Sequence, residues 1–223
     1  MNTRAKRAWI TGIYGQDGSY CAEYLLSLGY EVAGLAHRTQ VAEGALQTHI
    51  MSPRCTIYTG ELSEPHSYHK ELSAFAPDEV YNFAAVSDLK TAREHPEYTY
   101  AVNYTGARTL IEVVFTEHPH ARFFQALSSR ILTPDSEGVI RESSPLSEPE
   151  NEYDRSKRAL YEDVVRPYRE KGLFIASGFL CNHESPRRGA RFVTGKIARA
   201  VAMIKHGQEE VLTVGNVDAR RDW

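Results

Sequence analysis

The chain has 223 residues, of which 42% are hydrophobic and 25% charged, so it has the composition of an ordinary globular protein and the length to bury a core. Its formal net charge of −3 argues against a dominant electrostatic attraction to nucleic acid or to an anionic membrane. Because Cys21, Cys55 and Cys181 form no C-x-x-C pair, and because the sequence has neither a signal peptide pattern nor a membrane-length apolar run, we expect three reduced, buried thiols and a cytoplasmic protein.

The hydrophobic pattern predicts a β-α-β unit at the start of the chain. Ala8–Thr11 is typical of a short buried strand, and Ser19–Leu28 of an amphipathic helix that ends at Gly29. The predicted apolar stripe of this helix consists of Cys21, Tyr24, Leu25 and Leu28. Glu31–Ala36 is the second strand, which gives the unit about its expected length.

Strands and helices continue to alternate along the rest of the chain. The predicted strands are Cys55–Thr59, Glu79–Ala85, Arg122–Leu127 and Leu173–Leu180. The predicted helices are Pro65–Phe75, Glu97–Glu117 and Tyr153–Lys171. This alternation predicts an α/β fold, a doubly wound parallel sheet with helices on both faces. The stretch Thr133–Glu150, rich in Pro, Ser and Glu, is more typical of a functional loop than of a linker.

Three glycines follow the first strand, in the spacing G-x-x-G-x-x-G. Gly12 permits a tight turn, Gly15 lets the backbone approach a pyrophosphate, and Gly18 lets the helix pack close to the strand. The start of the helix then offers free N–H groups to phosphates. A glycine-rich turn without a ligand is the alternative, but the position between a strand and an amphipathic helix favours a Rossmann-type dinucleotide site.

The end of the second predicted strand indicates which dinucleotide is bound. NAD-binding units often carry an acidic residue there, which bonds the ribose 2′-hydroxyl. This chain has His37, Arg38 and Thr39 instead. An arginine suits a 2′-phosphate, so the pattern favours NADP over NAD, and the alternative is an exposed surface arginine.

A candidate catalytic pair lies on the helix that follows the long loop. Tyr153 and Lys157 are four residues apart and therefore share a helix face. A lysine ammonium favours the phenolate, which can take a proton from a substrate hydroxyl while a hydride leaves for the nicotinamide. Ser128, at the end of the preceding strand, can bond the same oxygen. Such a Tyr-Lys pair arises readily by chance, so its weight comes from its position, which is similar to that in extended short-chain dehydrogenases.

Three segments resemble the GDP-mannose 4,6-dehydratase family. They are Gly12–Leu25, Asn182–Gly189 with Phe192–Thr194, and Gly215–Trp223. Because the similarity runs over the whole chain, the protein is identified as a member of this family. The resemblance implies that tightly held NADP oxidises C4 of a GDP-sugar, that water is eliminated across C5 and C6, and that the hydride returns to C6. It also implies a homo-oligomer, a dimer or a tetramer. From the net charge and the lack of a long apolar run we expect no nucleic acid or membrane partner.

The resemblance implies a role for individual positions. The implied catalytic residues are Ser128, Tyr153 and Lys157. The residues implied to bind NADP are Gly12, Gly15, Gln16, Asp17, Gly18, Arg38, Glu61, Leu62, Ala84, Ser87, Tyr98, Tyr153, Lys157, His183 and Arg188. Those implied to bind the GDP-sugar are Ser87, Asn182, Val193, Lys196 and Arg221. We expect no metal site, since His66 and His69 form an i, i+3 pair with no third ligand in view.

The same resemblance implies two domains. Residues 1–180 would form the NADP-binding Rossmann domain, and residues 181–223 would begin the sugar-nucleotide lobe. Family members continue well beyond the position of Trp223. We therefore expect the C-terminal lobe to be incomplete.

The sequence departs from the family pattern close to the expected active site. Ser128, Ser129 and Arg130 stand where the family has Thr-Ser-Glu, and that glutamate performs the acid–base work of elimination. An arginine cannot act as a general base near neutral pH. In addition, Val86 and Asp88 replace a glutamine and a histidine, Gly195 replaces an arginine, and Glu61 an aspartate.

Three functions therefore stay open. The first is a GDP-sugar 4,6-dehydratase, which the sequence supports most strongly. The second is a relative that keeps redox chemistry at C4 without elimination, such as a 4-reductase or an epimerase. The third is an NADP-binding homologue with impaired catalysis. The second and third would explain Arg130.

Overall fold

The computed structural model describes residues 4–42, 50, 52–189, 191–208 and 211–218. The chain divides into two compact units, Met1–Leu180 and Cys181–Trp223. Within the described ranges, no helix has both the length and the apolar character needed to cross a membrane.

The first unit is built on a six-stranded sheet in the order β3-β2-β1-β4-β5-β6, and every neighbouring pair is parallel. The strands are β1 Arg7–Thr11, β2 Glu31–His37, β3 Cys55–Gly60, β4 Glu79–Asn82, β5 Arg122–Ser128 and β6 Ile175–Leu180. The predicted doubly wound parallel sheet is confirmed. The strand order reverses between β1 and β4, and the carboxyl ends of strands at such a reversal form the usual ligand crevice of these folds.

The helices follow the predicted order, with three additions. They are α1 Gln16–Ser27, α2 Arg38–Ala42, α3 His69–Phe75, α4 Leu89–Glu94, α5 Pro96–Tyr100, α6 Ala107–Glu117, α7 Glu152–Leu160, α8 Arg166–Glu170 and α9 Val193–Lys205. A π-helical segment, Ala101–Gly106, joins α5 to α6, and another, Tyr161–Val165, joins α7 to α8. The two long predicted helices are therefore each continuous. Helices α2, α4 and α9 were not predicted, and β4 ends at Asn82, three residues earlier than expected.

The predicted apolar stripe of α1 is wrong at two positions. Tyr24 and Leu28 are 64% and 56% exposed, whereas Ala22, Leu25 and Leu26 are buried, as is the glycine that begins this face, Gly18. The helix turns its smallest residues to the sheet because they let it approach β1 closely. A pattern that counts only large apolar side chains misses this face.

The expectation of three buried cysteines is wrong. Cys21 and Cys55 are half-buried, and Cys181 is exposed. Burial raises the pKa of the Cys21 thiol to about 12 and that of Cys55 to about 11, so both stay protonated at neutral pH. Neither therefore has the thiolate character of a reactive cysteine.

Candidate functional site

The predicted site residues of the first unit lie at one edge of the sheet. Gly12 follows β1, Arg38 follows β2, Glu61 follows β3, Ala84 follows β4, and Ser128 ends β5. Because all strands are parallel, these five carboxyl ends meet at the same edge. The topology thus brings together positions that are up to 116 residues apart, as counted from Gly12 to Ser128.

The glycine loop is shaped by close backbone contacts. Gly12 has a φ of +67°, and a Cβ there would lie 2.9 Å from the amide nitrogen of Ala84. A Cβ on Gly18 would lie 2.3 Å from the carbonyl oxygen of Gly12, and one on Gly15 would lie 3.0 Å from the same oxygen. Side chains at these positions would fill the turn, so the sequence keeps them as glycine.

Helix α1 begins directly on this loop. Gly15 is its N-cap, and the half-buried Gln16 and Asp17 form its first turn with Gly18. The first N–H groups of a helix have no acceptor within the helix, and the helix dipole favours negative charge there. The loop and the helix start therefore form a cradle that fits a phosphate group.

Predicted cofactor-binding residues at the ends of β2 and β3 form a polar cluster with Tyr98. Arg38 donates a 2.7 Å hydrogen bond from Nη2 to Oε2 of Glu64, and this bond lowers the pKa of the Glu64 carboxyl. The hydroxyl of Tyr98 lies 3.4 Å from Nε2 of His37, and that ring nitrogen lies 3.8 Å from Oε2 of Glu61. Burial, followed by a hydrogen bond to Glu61, raises the pKa of Tyr98, which stays a neutral phenol.

Two parts of this cluster differ from a simple anion pocket. The side chain of Arg38 is 52% exposed and already has a carboxylate partner, so a 2′-phosphate would compete with Glu64 for it. Leu62 is only 3% exposed and belongs to the hydrophobic core. Its side chain is therefore part of the core, and nothing in the sequence indicated that Glu64 would be the partner of Arg38.

The loop 83–88 after β4 is tied to two other elements. The amide of Ala84 donates to Oγ1 of Thr11 at 3.1 Å. The amide of Val86 donates to Oδ1 of Asn103 at 2.8 Å, and Nδ2 of Asn103 donates to the Val86 carbonyl at 3.0 Å and to Oγ of Ser156 at 3.3 Å. The buried Asn103, which sequence analysis missed, therefore connects this loop, with its Ser87, to the helix that carries Tyr153.

One of the substituted residues in this loop has a local structural role. Asp88 is the N-cap of α4, and its Oδ2 accepts hydrogen bonds from the amide of Thr91 at 3.0 Å and from its hydroxyl at 2.7 Å. A histidine has no carboxylate oxygen and could not accept both of these bonds. The aspartate thus starts a helix that the hydrophobic pattern did not predict.

The lysine of the candidate catalytic pair is deeply buried. Lys157 lies on α7, is 3% exposed, and donates from Nζ to the carbonyl oxygen of Ala126 at 2.9 Å. Burial lowers its pKa from the ordinary value to about 8. Tyr153 lies one turn earlier on α7 and is half-buried. Ser128 is two residues beyond Ala126 at the end of the same strand and is 7% exposed.

Arg130 is held by a carboxylate that sequence analysis missed. Its Nε and Nη2 donate to the two carboxylate oxygens of Asp154 at 2.8 and 2.9 Å, and Nη2 lies 3.3 Å from Glu150. Asp154 is 2% exposed and follows Tyr153 directly. Its hydrogen bonds raise the pKa of Arg130, so this side chain stays a cation. The pair thus connects the end of β5 to the first turn of α7.

The local sequence explains why Asp154 lies there. Asn151 is the N-cap of α7, and its Oδ1 accepts from the amide of Asp154 at 3.0 Å while its Nδ2 donates to Asp154 Oδ2 at 2.7 Å. An Asn followed three residues later by an acid is close to the capping-box pattern. The spacing of Asn151 and Asp154 could therefore have predicted this position of Asp154 from the sequence.

The second unit carries the remaining predicted site residues. His183 bonds the Cys181 carbonyl through Nδ1 at 2.8 Å. The guanidinium of Arg188 lies 3.5 Å from the ring centre of Phe192, and its Nε lies 3.2 Å from Oε2 of Glu184. Asn182, Val193 and Lys196 are exposed, the last two in the first turn of α9, whereas Arg221 lies outside the described residues.

Gly195 is required by the backbone around it. A Cβ there would lie 2.6 Å from the carbonyl oxygen of Gly189 and 2.8 Å from that of Arg188. An arginine at this position would therefore need a different path for residues 188–189.

The described residues contain no group of three or more His, Cys, Asp or Glu side chains that could hold a metal ion. His69 instead lies 2.6 Å from a carboxylate oxygen of Glu117, and His66 is exposed.

Sequence comparison relates the chain to one family. The family model described as GDP-mannose 4,6 dehydratase matches residues 9–223. GDP-mannose 4,6-dehydratases of Yersinia enterocolitica, Arabidopsis thaliana and Homo sapiens are 40%, 41% and 39% identical to the chain; the matches cover 98%, 98% and 97% of it and 60%, 63% and 60% of the relatives. The chain spans about three fifths of the length of these relatives.

Solved structures with low sequence identity share the fold. A UDP-glucose 4-epimerase of Thermus thermophilus in complex with NAD matches with a TM-score of 0.76 and 24% identity, over 90% of this chain and 63% of that one. A dTDP-glucose 4,6-dehydratase of Bacillus anthracis in complex with NAD matches with a TM-score of 0.74 and 20% identity, over 91% and 62%.

Proposed function

Since the chain belongs to the GDP-mannose 4,6-dehydratase family, we propose that it binds NADP and acts on a GDP-sugar through transient oxidation at C4. The observation that carries this proposal is the buried Lys157, one helical turn from Tyr153 and bonded to the strand that ends at Ser128. A buried lysine one helical turn from a tyrosine is an arrangement in which the cation can favour the phenolate, and the phenolate can deprotonate a sugar hydroxyl.

The residues present fit a dinucleotide. At Gly12 and Gly18 any Cβ would collide with neighbouring backbone, so glycine permits the tight turn that would hold a pyrophosphate at the start of α1. Arg38 would bind the 2′-phosphate, with Glu61, Tyr98 and Ser87 near the rest of the cofactor. NADP, when bound, accepts a hydride from the sugar C4 and returns it later in the reaction.

Each catalytic side chain has one task. Lys157, as an ammonium, stabilises the phenolate of Tyr153. That phenolate takes the proton of the C4 hydroxyl, and Ser128 donates a hydrogen bond to the same sugar oxygen. Because the pKa of Lys157 is about 8, the ammonium is lost as pH rises through that value, and oxidation at C4 should fall with it.

The direct test is incubation of the protein with GDP-mannose and NADP, followed by mass spectrometry of the sugar nucleotide. A 4-keto-6-deoxy product supports the dehydratase. Tyr153→Phe should keep NADP affinity and lose 10²- to 10⁴-fold in rate, which is the usual contribution of acid–base catalysis. Absence of any sugar product from the unmodified protein would refute the proposed activity.

Arg130 favours a second candidate function, C4 redox chemistry without elimination. The guanidinium stands where the family has its acid–base glutamate, and Asp154 holds it in two hydrogen bonds. A cation so held cannot remove the C5 proton, so the C6 hydroxyl would be kept. In the same experiment, a C4-altered sugar that retains its C6 oxygen would support a 4-reductase or an epimerase, and bound NADP without turnover would support an impaired homologue.

The remaining assignments extend the same proposal. Residues 1–180 would be the cofactor domain, and the family resemblance assigns His183 and Arg188 to NADP binding. Asn182, Val193, Lys196 and Arg221 would contact the GDP-sugar. The protein would work as a homo-oligomer, as the family resemblance implies, and in the cytoplasm, as the sequence pattern of its cysteines favours. Light scattering across a concentration series measures the assembly, and a strictly monomeric protein would refute it.

A further inference from the structure

A row of polar side chains crosses the middle of the sheet. Thr11, Asn82 and Gln125 are register partners on β1, β4 and β5, and each is 0% exposed. Register partners in a parallel sheet point to the same face, so the three side chains are neighbours. Burial of an amide costs free energy unless each of its polar atoms finds a partner.

The row forms one continuous chain of hydrogen bonds. The hydroxyl of Thr11 donates to Oδ1 of Asn82, and Nδ2 of Asn82 donates to Oε1 of Gln125 at 2.8 Å. Nε2 of Gln125 then donates to the carbonyl oxygen of Ala126 at 2.9 Å. That oxygen is the one that also accepts from Nζ of Lys157 at 2.9 Å. The chain therefore runs from the residue before Gly12 to the buried lysine.

We propose that Gln125, supported by Asn82 and Thr11, is a positioning residue that fixes the Ala126 carbonyl and through it the ammonium of Lys157. The proposal rests on the catalytic role proposed above for Lys157. It assigns a functional task to three residues that no motif of the sequence indicates.

The shared oxygen makes Gln125 the side chain that controls this contact. A carbonyl oxygen has two lone pairs, and here both have a donor. Two donors that each lie 2.9 Å from one oxygen can be no more than twice that distance apart, so Nε2 of Gln125 lies close to Nζ of Lys157. At this range a charge placed on residue 125 would act strongly on the lysine.

No ion pair competes for the lysine in the part of the chain that the structure describes. The titratable groups on α7 and on elements packed against it are Asp88, Lys90, Arg93, Glu94, Glu97, Tyr98, Tyr100, Tyr104, Arg122, Arg130, Glu152, Tyr153, Asp154, Arg155, Arg158, Tyr161, Glu162 and Asp163. The charges nearest to Lys157 in sequence are paired elsewhere: Asp154 with Arg130, Arg155 with Glu152, and Arg158 with Glu162. Burial alone sets the lysine's lowered pKa, so an added carboxylate would be its first close counter-charge.

The test is Gln125→Glu, which keeps the volume of the side chain and adds a charge. We expect the pKa of Lys157 to rise, and the alkaline limb of the C4 oxidation step to move up by about one pH unit, since an opposite charge at this distance shifts a pKa by that much or more. The C4 oxidation step is monitored through the absorbance of NADPH, which is recorded after GDP-mannose is added to protein loaded with NADP.

A second readout does not depend on activity. The free energy of unfolding is measured against pH for the unmodified protein, Gln125→Glu, Lys157→Met and the double variant. If residue 125 acts on the lysine, the coupling between the two substitutions changes with pH near the titration of Lys157. If the unmodified protein never reduces NADP with GDP-mannose, the proposed function fails, and this cycle still decides the present proposal.

Ser177 provides the matched control. It is the register partner of Gln125 on β6, and its buried hydroxyl has no hydrogen-bond partner among the described residues. Ser177→Ala should leave both pH profiles unchanged. If Gln125→Glu does not fold, Asn82→Asp replaces it, because the loss of the Asn82 donor turns the Gln125 amide away from Ala126. Folded variants with an unshifted alkaline limb and a pH-independent coupling would overturn the proposal.

Discussion

The glycine loop and the β5–α7 edge are built in different ways. At Gly12 and Gly18 the structure depends on backbone approach, and any side chain would collide. At the β5–α7 edge it depends on pairs of side chains and carbonyls, such as Arg130 with Asp154 and Lys157 with Ala126. A backbone cradle keeps its motif because no other residue fits. A side-chain pair can change its chemistry when both partners change, and the β5–α7 edge is where we expect this chain to depart from the family pattern.

The largest effect should come from the backbone cradle. Gly12→Ala places a Cβ at a φ of +67° and 2.9 Å from the Ala84 nitrogen. Left-handed strain and overpacking together should lower the free energy of unfolding by about 3 kcal/mol, and NADPH affinity should fall at least about tenfold. Urea unfolding and NADPH fluorescence measure the two effects.

Gly138 is the matched control for this substitution. It has a φ of +80° with nothing within 4 Å of an added Cβ. Gly138→Ala should therefore lower the free energy of unfolding by about 1 kcal/mol, through backbone strain alone, and leave NADPH affinity unchanged. Equal losses for the two variants would mean that close approach does not shape the loop.

The next largest effect concerns the pH dependence of stability. The pKa of Lys157 is about 8 in the folded protein, whereas the ordinary pKa of an exposed lysine is 10.5. Between these values the unfolded chain binds more protons, so stability rises with pH. Relative to Lys157→Met, the free energy of unfolding of the unmodified protein should rise by on the order of 3 kcal/mol from pH 8 to pH 10.5. Urea unfolding at a series of pH values measures this change. A flat difference between the two proteins would contradict the burial of a titrating lysine.

The contribution of the Arg130–Asp154 pair to stability can be tested with a single and a double variant. Arg130→Glu alone would place a carboxylate against the buried Asp154 and should cost about 2 kcal/mol, less than a fully buried pair because Arg130 is 38% exposed. It should not produce dehydration. Arg130→Glu with Asp154→Ala removes the repulsion and should recover most of that stability.

Only the double variant therefore tests whether a glutamate at 130 restores elimination. Unfolding by urea and mass spectrometry of the sugar product are the two measurements. If Arg130→Glu alone were as stable as the unmodified protein, Asp154 would not be the group that holds Arg130.

The smallest effect is on cofactor choice. Arg38→Ala should weaken the binding of NADP about tenfold more than the binding of NAD, since one exposed charge–phosphate contact is lost. Glu64→Gln should shift the preference toward NADP, because it releases Arg38 from its carboxylate. Arg108→Ala is the control, as Arg108 is 51% exposed and pairs with Glu112 at the same 2.7 Å. Equal weakening of both cofactors by Arg38→Ala would exclude a role in 2′-phosphate binding.

The reach of sequence reasoning follows the range of each interaction. The strand–turn–helix at Gly12 and the Tyr153–Lys157 spacing were predicted, since each lies within one or two turns of chain. The buried face of α1 was misjudged because Gly18 and Ala22 carry little hydrophobic signal, although they are what lets the helix approach. Asn103 and Asp154 were missed because a polar residue in a helix gives no sign of burial until its partners are known.

The sequence by itself determined the parallel α/β sheet, the glycine cradle and the family, because periodicity, glycine spacing and long motifs are local patterns. Only the tertiary structure decided what the polar residues do. Asn82 bonds a residue 43 positions away, and Arg130 one 24 positions away. Strand register and helix docking bring such partners together, and burial then gives the contacts their strength, since a buried polar group without its partner is costly.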